Sequence, residues 1–367
     1  MGAYLYELPN WPEFTWESDA LELLLADVRF RQGQLIGRMG SLGFPLQTEA
    51  AFLTLTEDVL KTSAIEGEHL DQVEVRSSIA RRLGIDIGES RPANREVDGI
   101  VEMLLDAVLN HEQPLTDERL FRWHAALFPT GRSGFTRITA GSWRSGPMQV
   151  VSNPYGYGRE QVHFEAPPPD RLDSEMATLL DWFNASSDLD LVLKSAIAHL
   201  WFVTIHPFDD GNGRIARAIA DLALARSEQS ALRFYSMSSQ IQRERAAYYM
   251  ILEQTQKGTL NITDWLRWYL ECLGRAIDAA ATTLDSVLAK SRFWDAMRNI
   301  PLNDRQQLML NKLVDGFEGK LTTGKWAKIA KTSHDTALRD ITDLVERGIL
   351  TRDESGGRST SYSLALI

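Results

Sequence analysis

The chain has 367 residues, with 39 Lys and Arg against 50 Asp and Glu, which gives a formal net charge of −11. A hydrophobic fraction of 44% and a charged fraction of 24% are ordinary for a soluble globular protein, so a disordered chain, a collagen-like fibre and a membrane bundle are excluded. The single cysteine, Cys272, excludes an intrachain disulfide and a cysteine-rich zinc site. The length indicates two or three domains.

The N-terminal residues have neither the basic flank nor the continuous apolar run of a targeting segment. The most apolar stretch, Ala196 to Ile205, is too short to span a bilayer. We therefore expect a cytoplasmic protein without a membrane partner.

Apolar residues recur every three or four positions along most of the chain, which is the spacing of amphipathic helices. One pattern follows Ser18, and the next contains Phe52, Leu55 and Val59 and stops near Gly67. Further helices are predicted at 71–83, 94–110, 117–128, 171–184, 191–205, 213–228, 240–256 and from 263 towards 297.

Two segments depart from this helical pattern. Short β-prone runs at 148–151 and 162–164 flank an Asn/Pro/Gly-rich turn at 153–158, which predicts a hairpin whose extended edge can hold a peptide. After Pro301, helical runs with a Lys-Thr-Ser turn precede two strand-like runs that flank Gly356-Gly357-Arg358. That order predicts a helix-turn-helix followed by a β-wing.

The stretch from His206 to Arg217, HPFDDGNGRIAR, contains an anion-binding pattern. Gly211 and Gly213 precede a new helix, so backbone N–H groups can approach an anion closely, and the helix dipole adds partial positive charge there. The Asn212 side chain can donate to a phosphate oxygen. This segment therefore favours a site for phosphate groups.

Charged residues of the same stretch add chemistry to that site. Arg214 and Arg217, three residues apart on one side of the helix, each offer a planar fork to phosphate. Asp210 is a hard oxygen ligand of the kind that Mg²⁺ prefers, and His206 can take a proton from an attacking hydroxyl near neutral pH. Each residue alone has an ordinary structural interpretation, but together they predict a Mg²⁺–nucleotide site with a histidine general base.

This stretch resembles the signature of the Fic family, HPFx(D/E)GNGRxxR, with every fixed position matched. The resemblance covers about residues 93–270. Trp123-His124 is similar to a family helix upstream of the motif. Gly141-Ser-Trp143-Arg144 and the hairpin resemble the flap of the family that docks the target. Arg245-Ala-Ala-Tyr248-Tyr249 resembles the segment that packs on the nucleobase. Fic proteins are helical and mostly transfer AMP from ATP to a hydroxyl of a target protein.

The resemblance implies a role for each residue that matches the motif. His206 would be the general base and Asp210 the Mg²⁺ ligand. Tyr249, more than Tyr248, would contact adenine, and the alternative is an ordinary core tyrosine. Phosphate-binding residues would be Gly211, Asn212, Gly213, Arg214 and Arg217, the last at the γ-phosphate.

The segment Thr62-Ser-Ala-Ile-Glu66-Gly67 fits the inhibitory pattern of the family, (S/T)xxxE(G/N), at the end of a predicted helix. A carboxylate that reaches Arg217 would form a bidentate pair and occupy the partner of the γ-phosphate. ATP would then bind with its α-phosphate badly oriented, and a misplacement of about 1 Å costs on the order of 100-fold in rate. The resemblance implies auto-inhibition, and also a reverse hydrolysis in which the glutamate orients a water for removing AMP.

The predicted fold class is mainly α: a Fic-type helical bundle with a β-hairpin flap, plus a C-terminal winged helix-turn-helix domain. We expect an N-terminal domain with the inhibitory helix at 1–92, the catalytic domain and following long helix at 93–300, and the winged helix at 301–367. The overall resemblance is to bacterial Fic proteins of the inhibitory class, with Trp11 to Trp16 as a segment that docks on the helices. The leading hypothesis is an auto-inhibited protein adenylyltransferase that uses Mg·ATP and modifies a Ser, Thr or Tyr hydroxyl of a target protein or of itself.

Two alternatives remain at this point. One is a Fic enzyme that transfers another phosphate-containing group, and the other is a DNA-binding regulator whose Fic domain senses nucleotide. Residues 320–358 carry eight Lys and Arg against six Asp and Glu, and the expected recognition helix is acidic, with Asp335, Asp340, Asp343 and Glu346. Protein docking or homodimer formation is therefore the favoured role of the winged helix, although Lys325, Lys328, Lys331, Arg339 and Arg358 could form a basic stripe on DNA.

Overall fold

The structure is a computed structural model that describes residues 4–42, 44–87, 91–152, 161–314, 317, 319–353 and 360–365. It divides into two compact units, Met1–Ala281 and Thr282–Ile367. The second unit starts before the expected boundary at residue 300, because Phe293 and Met297 at the end of a long helix pack into the C-terminal core. No division between units falls at the expected boundary near residue 92.

The N-terminal part of the first unit contains α1 (Ser18–Gly40), α2 (Phe44–Ile65) and α3 (Gln72–Leu83). Helix α2 buries Phe52, Leu55 and Val59, as their spacing predicts. It stops where expected, since Gly67 takes a left-handed conformation (φ 87°) and its N–H donates to the carbonyl of Ala64. Residues 66–68 therefore turn away from the end of α2.

The aromatic segment before α1 packs on the helices, which confirms that interpretation. The rings of Trp11 and Phe14 contact Trp201, with centroids 6.0 and 5.6 Å apart. The indole N–H of Trp11 donates to Glu175 Oε2 at 2.7 Å.

Helix α7 (Leu191–Ile205) lies at the centre of the first unit and is buried at every position from Val192 to Ile205. A helix that is apolar on all sides needs neighbours all round. Helices in contact with it include α6 (Leu172–Asn184) and α8 (Asn212–Glu228). None of the described helices has the length and apolar character needed to cross a membrane. The remaining helices of this region are α4 (Arg95–Leu109), α5 (Asp117–Leu127), α9 (Met237–Arg243), α10 (Arg245–Gln256) and α11 (Thr263–Met297).

The helix expected at 240–256 is two helices, α9 and α10. Glu244 separates them with a non-helical conformation (φ −107°, ψ 24°). Its carboxylate accepts two bonds from Arg275 on α11, at 2.6 and 2.7 Å. This tertiary ion pair explains a break that helical periodicity does not predict.

Strands β3 (Gln149–Ser152) and β4 (Gln161–Glu165) form the expected antiparallel hairpin. Val150 pairs with Phe164, and an irregularity in the register follows Val150. The turn expected at 153–158 lies outside the described residues. Sequence reasoning missed a smaller hairpin, β1 (Arg132–Ser133) with β2 (Thr136–Arg137), because two-residue strands carry no periodic signal.

The C-terminal unit has the element order expected of a winged helix: α12 (Asp304–Val314), α13 (Thr323–Ile329), α14 (His334–Glu346), β5 (Leu350–Arg352) and β6 (Tyr362–Leu364). The two strands pair antiparallel. Its core includes Met309, Trp326, Ile341 and Leu344. Arg358, at the tip of the expected wing, lies outside the described residues.

The acidic face expected on α14 is smaller than its sequence implies. Asp340 is buried and accepts bonds from Arg305 at 2.8 and 3.0 Å, and Asn303 donates to it at 3.0 Å. The pKa of Asp340 is lowered by these bonds in spite of its burial. Asp340 therefore holds α12 to α14 and is not available to repel DNA.

Candidate active site

The junction between α7 and α8 uses backbone conformations that few residues adopt. His206 caps α7 in a left-handed conformation (φ 51°, ψ 57°), and Pro207 cannot continue the helix. Gly211 has φ 79°, and a Cβ at this position would lie 2.9 Å from Cε2 of Phe128, so glycine is required. Helix α8 begins at the next residue, Asn212.

Asn212 stabilises the loop from within. Its Oδ1 accepts the N–H of Phe208 at 3.0 Å, and its Nδ2 donates to the Phe208 carbonyl at 2.8 Å. The side chain was expected to donate to phosphate, but here it bonds to the loop backbone. Phe208 is fully buried and anchors the loop, as its apolar character indicates.

His124 on α5 supports the same loop. Its ring stacks on Phe208 with centroids 4.1 Å apart. Nδ1 accepts the N–H of Gly141 at 3.0 Å, so Nε2 carries the proton and donates to the Asp210 carbonyl at 3.2 Å. Burial lowers the His124 pKa to about 4, which keeps this ring neutral.

The His206 ring is oriented by Val203. Nδ1 lies 3.1 Å from the Val203 carbonyl, which can only accept, so Nδ1 carries the proton and Nε2 has the free lone pair. Burial lowers the His206 pKa, and the charge of Arg144 acts in the same direction. The ring is therefore neutral at pH 7 and able to act as a base.

The carboxylate of Asp210 is held in the loop. Oδ1 accepts the N–H of Gly211 at 2.6 Å, and Oδ2 accepts the hydroxyl of Ser133. Its neighbour Asp209 instead accepts the N–H of Thr139 at 2.9 Å. Asp210, but not Asp209, lines the cleft beside this loop.

Arg217 is buried on α8 and is bound by the end of α2. Nε donates to Thr62 Oγ1 at 2.8 Å, and Nη2 donates to the Thr62 carbonyl at 3.0 Å and to Glu66 Oε1 at 2.6 Å. The expected pairing of Glu66 with Arg217 is present, but through one nitrogen and one oxygen rather than the bidentate geometry. Nη1 is buried and has no hydrogen-bond partner among the described residues.

Gly213 makes this approach of Glu66 sterically feasible. A Cβ on Gly213 would lie 2.3 Å from Glu66 Oε1 and 3.3 Å from Arg217 Nη1. The Glu66 carboxylate therefore lies against the first turn of α8, where phosphate groups were expected.

Arg214 also binds a carboxylate, which sequence reasoning missed. Its Nη1 donates to Glu68 Oε2 at 2.6 Å, and its guanidinium lies over the Phe128 ring at 5.1 Å. Its Nε is buried without a partner in the described part of the chain. Thus Glu66 and Glu68 contact the two arginines of the motif.

A cleft of about 970 Å³ opens beside these groups. Glu66, His206, Asp210 and Gly213 line one part of it. Val150 and Phe164 of the β3–β4 hairpin line another, together with other residues that include Val151, His163, Arg245, Glu253 and Gln256. The cleft is large enough for a nucleotide-sized ligand.

The two candidate tyrosines differ in environment. Tyr248 is buried, and its hydroxyl lies 2.8 Å from Nε2 of His199. Tyr249 is 39% exposed, and its hydroxyl donates to the Ile65 carbonyl at 3.3 Å. Both line the cleft, but the exposed ring of Tyr249 is the better surface for a planar ligand.

Residues 114–224 match the model of the Fic/DOC family, and residues 4–85 match a domain of unknown function, DUF4172. The chain thus contains a domain of the Fic/DOC family. The Fic match contains the whole of the His206–Arg217 motif, whereas Glu66 lies in the domain of unknown function.

Two relatives with curated names share this similarity. A protein adenylyltransferase Fic of Nematostella vectensis is 26% identical over 238 residues, which are 62% of this chain and 49% of that protein. A uridine 5′-monophosphate transferase of Xanthomonas campestris pv. campestris (strain 8004) is 32% identical over 121 residues, which are 31% of this chain and 21% of that protein. The chain thus spans half or less of the length of either relative.

A solved Fic family protein of Desulfovibrio desulfuricans G20 has a similar fold over almost the whole chain. The TM-score is 0.54 at 23% sequence identity, with 96% of this chain and 98% of that chain covered. The mainly helical Fic fold is therefore confirmed.

Proposed function

We propose that this Fic protein is an auto-inhibited protein adenylyltransferase, which transfers AMP from ATP to a hydroxyl of a target protein or of itself. The observation that carries the proposal is the 2.6 Å contact between Glu66 Oε1 and the buried Arg217 Nη2, beside a cleft that Glu66, His206 and Asp210 line. A phosphate-binding arginine, its internal competitor and a base-competent histidine thus share one site.

His206 would act through Nε2. A target hydroxyl oxygen forms a bond to the α-phosphorus of ATP, and the bond from that phosphorus to the α–β bridging oxygen breaks. Pyrophosphate leaves, and the hydroxyl proton passes to Nε2. The Nδ1–H bond to Val203 supports this direction, because it leaves Nε2 as the only proton acceptor on the ring.

The leaving phosphates would lie at the first turn of α8. Arg217 Nη1 and Arg214 Nε are buried donors without partners among the described residues, and they suit phosphate oxygens. The backbone N–H groups at Asn212 and Gly213 belong to the positive end of the helix dipole. A phosphate that displaces Glu66 and Glu68 would gain all of these donors.

Asp210 is the residue that fits Mg²⁺. Its carboxylate lines the cleft, and no group of three or more His, Cys, Asp or Glu arranged around a metal occurs in the described ranges. This donor set suits Mg²⁺, which binds through one or two carboxylates together with substrate phosphates and water. When bound, the ion would neutralise charge on the phosphates, while Asp210 would orient it.

Auto-inhibition follows from competition for Arg217. The guanidinium donates to Thr62 and Glu66 at once, so the γ-phosphate meets an arginine that is already bound. ATP would still enter the cleft, but its α-phosphate would be displaced from the line of attack. The same carboxylate is 30% exposed, and it can orient a water, which makes removal of AMP a second proposed reaction of this site.

The release of Glu66 tests the proposal directly. Glu66→Gly should raise incorporation of labelled AMP above wild type, and Glu66→Gly, Arg217→Ala should lose the gain because the freed guanidinium positions ATP. Glu57→Gln, which removes an α2 carboxylate that pairs with Lys61 at 3.8 Å, is the matched control and should label like wild type.

Mass spectrometry of the modified protein separates AMP transfer from the alternatives. The name of the Xanthomonas relative makes UMP transfer the specific competitor, and UMP or phosphate would add a different mass. If Glu66→Gly labels no faster than wild type on a target that is demonstrably present, auto-inhibition by Glu66 is wrong.

A further inference from the structure

Arg144 connects the histidine turn with both flanks of the β3–β4 hairpin. This side chain is 2% exposed. Its Nε donates to the His206 carbonyl at 2.8 Å, Nη1 to the Gly146 carbonyl at 2.7 Å and Nη2 to the Pro167 carbonyl at 2.5 Å. Its backbone N–H donates to the Pro207 carbonyl at 2.9 Å. Gly146 lies just before β3 and Pro167 just after β4, so one guanidinium joins three segments.

The positively charged guanidinium of Arg144 donates to neutral groups. All three side-chain partners are carbonyl oxygens, and burial lowers the Arg144 pKa, with Asp209 acting in the opposite direction. Removing a charge from water is costly unless its donors are satisfied. A planar fork can satisfy three carbonyls that converge from three directions, whereas a lysine has a single nitrogen.

The backbone of His206 needs such support. Its left-handed conformation (φ 51°) is sparsely populated for residues with a side chain, and it persists only where the surroundings determine it. Trp143, the residue before Arg144, packs on Phe208 with ring centroids 4.9 Å apart. Consecutive residues of the connection to the hairpin therefore contact consecutive parts of the catalytic loop.

We propose that Arg144 is a positioning residue that fixes His206 relative to the β3–β4 hairpin. A target segment held along the hairpin then meets Nε2 of His206 at a set distance. The proposal rests on the proposed function, because it assigns Arg144 to the alignment of the target hydroxyl. Arg144 is not among the residues that line the cleft, so its role is separable from nucleotide binding.

Arg144→Lys in a Glu66→Gly background is the kinetic test. It keeps the positive charge and removes the fork, and we expect kcat for AMP transfer to fall on the order of 10- to 100-fold, since about 1 Å of misplacement has that effect. The dissociation constant for ATP should stay within about twofold, because the phosphate donors are untouched. Arg137→Lys, an exposed arginine earlier in the same connection, is the matched control and should change neither quantity.

Hydrogen–deuterium exchange of the full chain without ATP gives a readout that does not depend on activity. In Arg144→Lys, the amides of Gly146, of residues 148–152 and 161–166, and of His206 and Phe208 should exchange faster, while α7 and α8 exchange as in wild type. Unchanged exchange at these segments overturns the proposal. Faster exchange throughout α7 and α8 also overturns it, because Arg144 would then stabilise the whole core.

The two readouts separate the possible failures. If Glu66→Gly transfers no AMP, the proposed function is wrong, and exchange alone decides whether Arg144 couples His206 to the hairpin. If Glu66→Gly is active and Arg144→Lys retains its full kcat, the positioning role is wrong while the adenylyltransferase proposal stands.

Discussion

The α7–α8 junction and the Thr62–Glu68 segment meet at the same cleft, but the chain builds them in different ways. The junction is determined within a few residues, by the left-handed turn at His206 and by the bonds between Asn212 and Phe208. The Thr62–Glu68 segment reaches its partner Arg217 across a separation of 151 residues between Glu66 and Arg217. The geometry of the proposed catalytic loop is thus mostly local, and the proposed inhibitory contact is tertiary.

This difference has a thermodynamic consequence. The buried groups that close the junction cannot be removed without disrupting the fold, whereas Glu66 begins the turn after α2, and its side chain is 30% exposed. Since the carboxylate partner of the buried Arg217 is partly exposed, it can be exchanged for a better ligand of the same arginine. Phosphate is such a ligand, because it offers more oxygens and more charge.

The largest effect is expected from His206→Ala, which tests the proposed catalytic role of the α7–α8 junction. The change removes the proposed base and leaves the α8 donors in place, so AMP transfer in a Glu66→Gly background should fall about 100-fold or more, while ATP still binds. Transfer rates and ATP titrations on the same preparations check both parts.

Tyr269→Phe supplies a structural control for this prediction. It removes a buried hydroxyl that contacts Ser195 on α7 and does not line the cleft, so it perturbs the core without touching the base. A His206→Ala protein whose transfer stays within about threefold of its parent would show that no general base acts at this position.

Sequence reasoning succeeded where the determinants are local. The stop of α2 near Gly67, the pairing of β3 with β4 and the start of α8 after Gly211 all depend on residues near each other in the chain, and the structure has them where expected. The pairing of Glu66 with Arg217 was expected only through the resemblance, since no periodicity links them.

The features that were missed all depend on how distant segments are oriented. The contact between Glu68 and Arg214 needs the path of the chain beyond Gly67, and the break at Glu244 needs the position of Arg275. Asn212 was expected to bind phosphate, since the sequence does not show that its amide fits the Phe208 backbone.

A second test concerns the α7–α8 junction and the proposed role of Asp210 as a Mg²⁺ ligand. Asp210→Asn keeps the shape and the bond from Gly211 but removes the charge that suits Mg²⁺. The Mg²⁺ concentration needed for half-maximal ATP binding should rise by about 10-fold or more, since loss of even a supporting group costs 10- to 100-fold in metal affinity. Asp209→Asn, which affects the bond from Thr139, is the matched control, and the assignment is wrong if only this variant shifts the Mg²⁺ requirement.

The smallest expected effect concerns Glu68 and tests the tertiary contacts of the Thr62–Glu68 segment. Glu68→Gln weakens the ion pair with Arg214, whose Nη1 lies 2.6 Å from Glu68 Oε2, and so frees a donor for phosphate. Because the glutamate side chain is 44% exposed, the gain is that of a screened ion pair, and the dissociation constant for ATP should fall by about two- to fivefold. Calorimetric titration with ATP measures it, with Glu74→Gln on α3 as control. If the two carboxylates compete with separate phosphates, the gains in ATP affinity from Glu66→Gly and Glu68→Gln should add in the double variant. A double variant that binds ATP no more tightly than Glu66→Gly alone would show that Glu68 does not oppose ATP binding.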